Sequence, residues 1–162
     1  MSKGKKVDLK LRYLVYLDYM IKFYGFNKIE FKSPEDIARI LGINLYFVNI
    51  LLNKFCETFL SIENTIQFKK TSVCKHRLIC YIIVLALSLK KYKFDIKLLA
   101  KSLKLEIKAI YEYLKEVGCV FSDMKTEVDE NARKIKKFDS MMVELKAPLK
   151  LNVDYRGLNI KN

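Results

Sequence analysis

A chain of 162 residues fits one ordinary domain or two very small ones, and 51% apolar residues with ten Phe and ten Tyr supply ample material for a core, so a folded chain is expected. Five Gly and two Pro are too few for an all-β sandwich, which needs a turn about every 8–12 residues. Thirty-one Lys and Arg against eighteen Asp and Glu leave a formal charge of +13, which points to polyanionic partners, nucleic acid above all.

The excess is spread along the chain, with 14 basic against 7 acidic residues up to Leu89 and 17 against 11 after it. A composition rich in Lys, Asn and Ile accounts for part of it. Cys56, Cys74, Cys80 and Cys119 form no C-x-x-C pair, and His76 is the single histidine. No metal site is expected, and the cysteines read as small core fillers. The opening Met-Ser-Lys-Gly-Lys-Lys has no secretory pattern, so an intracellular protein with reduced thiols is expected.

Residues 1–7 read as a basic tail. From Asp8 to Tyr24 there is no Gly or Pro, and Leu11, Leu14, Leu17 or Asp18, Ile21 and Tyr24 recur at helical spacing before Gly25. Ser33-Pro34-Glu35-Asp36 then reads as a helix start: an N-cap, proline at the first position, and acids at the positive end of the dipole. Ile37, Ile40 and Leu41 are its expected inner face, and Gly42 its stop. Asn44 caps a third helix to about Phe59, with Val48, Leu51, Leu52 and Phe55 inward. The alternating Thr65–Thr71 reads as a strand.

The order then repeats. Leu78–Leu89 is twelve residues without a charge, between Lys75-His76-Arg77 and Lys90-Lys91. A membrane span needs about 20 apolar residues, so this reads as a buried core helix from Val73 to Leu89, and no membrane partner is expected. A short helix over Asp95–Leu103 and another over Glu106–Val117 follow, the latter with Ile107, Ile110, Leu114 and Val117 inward and Gly118 as its end. Cys119–Ser122 and Met141–Leu149 read as strands, and the charged stretch between them as a loop or wing. Helix, short helix, turn, helix and strand pair is the order of a winged helix. The expected fold is therefore mainly α with short β-hairpins: a tandem winged helix, two helix-turn-helix units with wings. The first spans 8–72, the second 73–151, and 152–162 forms a C-terminal tail. A single six-helix bundle is the competing architecture.

The stretch His76–Leu85, followed by Leu99–Lys104, Val117-Gly118 and Leu145–Leu151, resembles the C-terminal half of the forty-nine-kilodalton-type subunit of RNA polymerase I. In that family an "R-L-L-C-Y-I-L-A-L"-type helix, "L-A-x-x-L-K", a helix ending in "L-G" and a closing "L-K-x-P-L/F-K" come in this order. The likeness spans about 75 residues; over 8–70 it is limited to a Leu- and Tyr-rich first helix and the general spacing. The resemblance implies a tandem winged helix that binds DNA beside the polymerase cleft and assists initiation and elongation of rRNA synthesis. It implies the polymerase I core subunits as partners, and the nucleus and nucleolus as location. Family members also carry an N-terminal dimerisation domain that pairs with a smaller subunit. This chain begins almost at the first winged helix, which leaves that pairing open.

The outward positions of the helix 106–117 include Lys108, Glu112, Lys115 and Glu116, and acids facing phosphates repel, so sequence-specific readout is not expected. Nonspecific phosphate contact is expected from Lys101 and Lys104 at the turn, from Lys108 and Lys115, from Arg133, Lys134, Lys136 and Lys137 in the wing, and from Lys69 and Lys70 at the joint. The alternative is an adaptor that docks on a large complex without touching DNA, favoured by the surplus apolar Tyr46, Phe47, Ile50 and Phe59. With no Gly-rich phosphate loop, no metal cluster and no partner nucleophile for His76, neither a catalytic residue nor a cofactor is expected.

Overall fold

The computed structural model describes residues 3–26, 30–31, 33–61, 66–122 and 142–145. The chain forms two compact units, Met1–Leu89 and Lys90–Asn162. The first contains α1 (Lys3–Gly25), β1 (Glu30–Phe31), α2 (Pro34–Leu41), α3 (Leu45–Phe55), β2 (Glu57–Leu60), β3 (Ile66–Lys69) and α4 (Ser72–Leu89). The second contains β4 (Lys93–Asp95), α5 (Ile96–Leu103), α6 (Ile107–Glu116), β5 (Val120–Ser122) and β6 (Met142–Glu144). The protein is mainly helical with short antiparallel strands, the class that the sequence pattern implies.

The first unit is built on α3 and α4. Val48, Leu51, Leu52 and Phe55 on α3 are all buried, the inward set expected from their spacing. Each such side chain withdrawn from water contributes about 1.5–3 kcal/mol. Ser33 caps α2, its hydroxyl accepting from the amide of Asp36 at 3.3 Å, with Pro34 in the first turn. Gly42 ends that helix at φ +63°, the left-handed conformation that glycine adopts without a Cβ clash. Asn44 caps α3 by accepting from the amide of Tyr46 at 2.9 Å. Thr71 caps α4, its hydroxyl accepting from the amide of Cys74 and donating to Glu57.

Several expectations for this unit are corrected. Leu11 and Leu14 are exposed, and the buried residues of α1 are Met20 and Phe23. Helix α1 is apolar on nearly every side, so its periodicity carries no phase; packing along α4 selects the inner face instead. It also begins at Lys3, within the stretch read as a tail. Ile40 is exposed. Helix α3 stops at Phe55, because Cys56 is extended and Glu57–Leu60 pairs with β3. Strands β1 and β3 pair with Phe31 opposite Phe68, and the sheet order is β1-β3-β2.

By length and composition α4 would also suit a membrane span. In this fold Cys74, Leu78, Ile79, Ile82, Ile83 and Leu87 are buried, a third of the helix, so one face lies in the core and the expectation of a helix buried all round is not met. Tyr81 and Val84 are exposed, so the helix is not enclosed on every side.

The second unit has the order strand, helix, helix, strand, strand, with the last strand in the middle: β4-β6-β5. Val143 on β6 is fully buried and stands between Phe94 and Phe121 in the register. Ile96, Leu99, Ala100 and Leu103 turn inward from α5, and Ile110 and Leu114 from α6. Ile107 and Val117, expected inward, are half-buried. The first unit runs through the same order after α1, with its last strand β3 likewise central.

Candidate nucleic-acid interface

The inward set of α5 fixes what its outer side carries. With residues 96, 99, 100 and 103 in the core, Lys97 and Lys101 lie on the solvent side, and Lys104 follows at the helix end. Their spacing of four and three residues aligns them in one stripe. Asp95 starts the helix, its carboxylate accepting from the amide of Lys97 at 2.9 Å. Lys104 terminates it at φ +52°, its amide donating back to Ala100 and Lys101. The matching position of the first unit is Gly42. The second unit thus holds a lysine in the backbone conformation where the first has glycine, a strained placement costing roughly 1 kcal/mol or more.

Lys108, exposed in the first turn of α6, adds a further cation after the turn. Lys101, Lys104 and Lys108 form no ion pair with the described residues. Lys115 is different: it pairs with Glu112 at 3.2 Å and lies 5.4 Å from the centroid of the Tyr111 ring. Tyr111 is itself packed on Phe121, ring centroids 4.3 Å apart. The far end of α6 thereby carries a paired lysine, whereas Lys101, Lys104 and Lys108 around the α5–α6 turn have no ion pair among the described residues. Lys97 escaped the sequence reading, although its spacing to Lys101 and Lys104 was the signal that would have found it.

The first unit offers a different surface at the corresponding helices. Arg39 of α2 is paired with Asp36, Glu35 stands beside it, and α3 turns Tyr46, Asn49 and Asn53 outward. No stripe of lysines lies on this helix pair.

Lys69 and Lys70, grouped by the sequence reading, are separated by the fold. Lys69 is exposed at the end of β3. Lys70 is 1% exposed, and its ammonium donates to the carbonyl of Phe23 at 3.0 Å and to that of Phe26. Those oxygens end α1, where helical carbonyls lack intrahelical partners. Burial, with Lys75 nearby as a lesser cause, lowers its pKa to about 8. A side chain held in this way is unavailable to phosphate. Arg133, Lys134, Lys136 and Lys137 lie outside the described residues.

Burial also pushes the thiol of Cys56 up to about 12 and that of Cys119 up to about 11. Both are therefore inert fillers, not nucleophiles.

A family model described as A49-like RNA polymerase I associated factor matches residues 1–152. No curated protein matches the chain.

Proposed function

The chain belongs to the A49-like RNA polymerase I associated factor family, and on that premise we propose that it is a non-catalytic subunit whose tandem winged helix holds DNA without strong sequence preference. In this reading it supports initiation and elongation on rRNA genes in the nucleolus. In the second unit α5 and α6 form the helix-turn-helix of this reading.

One observation carries the reading: the cations Lys101, Lys104 and Lys108 at the α5–α6 turn, without an ion pair among the described residues, with Lys97 extending the line. In a helix-turn-helix the first helix crosses the phosphate backbone and the second enters the groove. Lysines on the first helix and at the turn meet phosphates, which give affinity without sequence information. The paired Glu112 and Lys115 farther along α6 make a poor base reader.

The test is fluorescence anisotropy of labelled duplex against the chain over a salt series. Changing Lys101, Lys104 and Lys108 to Ala should reduce the slope of log affinity on log salt by about 3, at roughly 0.9 per phosphate contact. A second set, Arg133, Lys134, Lys136 and Lys137 to Ala, reports on the wing. Absence of binding even at low salt would leave the adaptor reading in its place, with the basic surface turned toward the polymerase.

A further inference from the structure

The first unit leaves a trough open beside α1. Leu11, Arg12, Tyr13, Val15, Tyr16 and Phe47 line a hollow of about 440 Å³. Tyr13 and Tyr16, with Met20 and with Tyr81, Val84 and Leu85 of α4, line a second of about 340 Å³. The two share Tyr13 and Tyr16, so they make one continuous surface along α1 and onto α4. It follows α1 from Leu11 to Met20, a rise of about 14 Å, or between two and three helical turns. Leu11 is 59% exposed and Val84 49%, a density of uncovered aliphatic side chains that marks a contact surface.

We propose that this trough receives an acidic amphipathic helix of a partner protein. The lining is chiefly aliphatic and tyrosine side chains between two helices, the geometry that seats the apolar stripe of a third. The charge at its margins is cationic. Arg12 lines it, and the Lys54 ammonium stands 4.4 Å from the centroid of the Tyr81 ring. Over the whole of α1 the sequence has six Lys and Arg against two acids, Asp8 and Asp18, which pair with Arg12 at 2.8 Å and with Lys22 at 2.9 Å. Glu or Asp flanking the apolar stripe of the incoming helix complements this excess.

The same observations disfavour the other occupants. A second copy would bring an α1 of the same positive charge against this one. A single nucleic-acid strand needs open ring faces on which to stack. Tyr81 already has Lys54 over its face and Phe55 in an edge contact, ring centroids 5.3 Å apart.

The test uses the full chain and labelled synthetic helical peptides of about 18 residues, each with a leucine stripe flanked by Glu in one and by Lys in the other. The Glu peptide should bind about tenfold or more tightly than the Lys peptide at moderate salt, and Leu11→Asp with Val15→Asp should remove that binding. Val84→Glu should weaken it more than Val84→Lys, a pair that separates charge from loss of fold; circular dichroism confirms that each variant is folded. Ala at Lys101, Lys104 and Lys108 should leave peptide binding unchanged, which keeps this result independent of DNA binding. Equal binding of the two peptides, no binding of the Glu peptide, or indifference to the α1 and Val84 variants would overturn the proposal. So would displacement of the peptide by an oligothymidylate whose own binding is lost in the same variants.

Discussion

The ammonium of Lys70 closes the end of α1, donating to the main-chain oxygen of Phe23 at 3.0 Å while lying 5.1 Å from the centroid of the same residue's ring. A group expected on the surface thus ties the strand-to-helix junction before α4 to the end of the first helix. It compensates carbonyls that would otherwise be buried without a donor.

The pH dependence of this contact has a defined sign. With its pKa lowered from 10.5 to about 8 in the folded state, the lysine binds fewer protons there than in the unfolded chain between those values. Its contribution to stability is present above about pH 10.5 and is lost as pH falls through 8. Cys56 and Cys119, whose pKa values are raised from 9, act oppositely: their contribution is lost as pH rises above 9. Urea denaturation at pH 7 and pH 9 isolates the lysine by comparing the native chain with Lys70→Met. The native chain should gain about 1 kcal/mol relative to the variant over that interval. Parallel behaviour of the two proteins would contradict the assignment.

Neighbouring positions on α4 should respond very differently to the same substitution. Ile83 is fully buried and Val84 is about half exposed. Ile83→Asp places an unpaired charge in the core and should cost more than about 4 kcal/mol, while Val84→Asp should cost less than about 1. Denaturant melts of the two variants test this directly, and similar losses would mean that α4 is packed differently.

The two helix starts of the second unit separate a bonded cap from an unbonded one. Asp95 accepts from the amide of Lys97, whereas Glu106 makes no side-chain cap bond. Asp95→Ala should destabilise the chain by about 1 kcal/mol, and Glu106→Ala by a few tenths. Thermal melts resolve the difference.

At Lys104 stability and binding should move in opposite directions. Lys104→Gly relieves the strained backbone at φ +52° and should raise stability by about 1 kcal/mol. The same change removes one cation from the turn and should lower the salt slope of DNA binding by about 0.9. Calorimetry and anisotropy on the same preparation read both effects, and a variant that loses stability would refute the strain argument.

Much of this fold was legible because its local signals agree. Ser33-Pro34, Gly42 and Asn44 mark the ends of α2 and the start of α3, and the four inward side chains of α3 follow from their spacing alone. The second unit was legible for the same reasons at Asp95 and Gly118. Helix α1 was not: with Leu, Tyr and Val at nearly every angle, the neighbour decides which face is covered, and sequence spacing carries no record of the neighbour. Strands β1 and β4, two and three residues long, are too short to show alternation. In β3 the alternation runs against hydropathy, with Ile66 exposed and Gln67 buried. Alternation carried on from Gln67 would bury Lys69, yet Lys69 is exposed and Lys70 buried, so the strand pattern gives no sign of it. The exposure of the lysines around the α5–α6 turn was legible from helical spacing, and that of Lys97 would have been by the same rule. The burial of Lys70 was not, because it depends on where α1 happens to end.

In each sheet the flanking strands touch the middle strand and not each other: β4 and β5 both hydrogen-bond to β6, as β1 and β2 do to β3. In the second unit that keystone is the last of the described strands, 20 residues after the end of β5. A ribosome therefore delivers β4 and β5 well before the piece that joins them. Until Met142–Glu144 emerges, β4 and β5 lack the strand to which both hydrogen-bond, so neither ladder of this sheet can form.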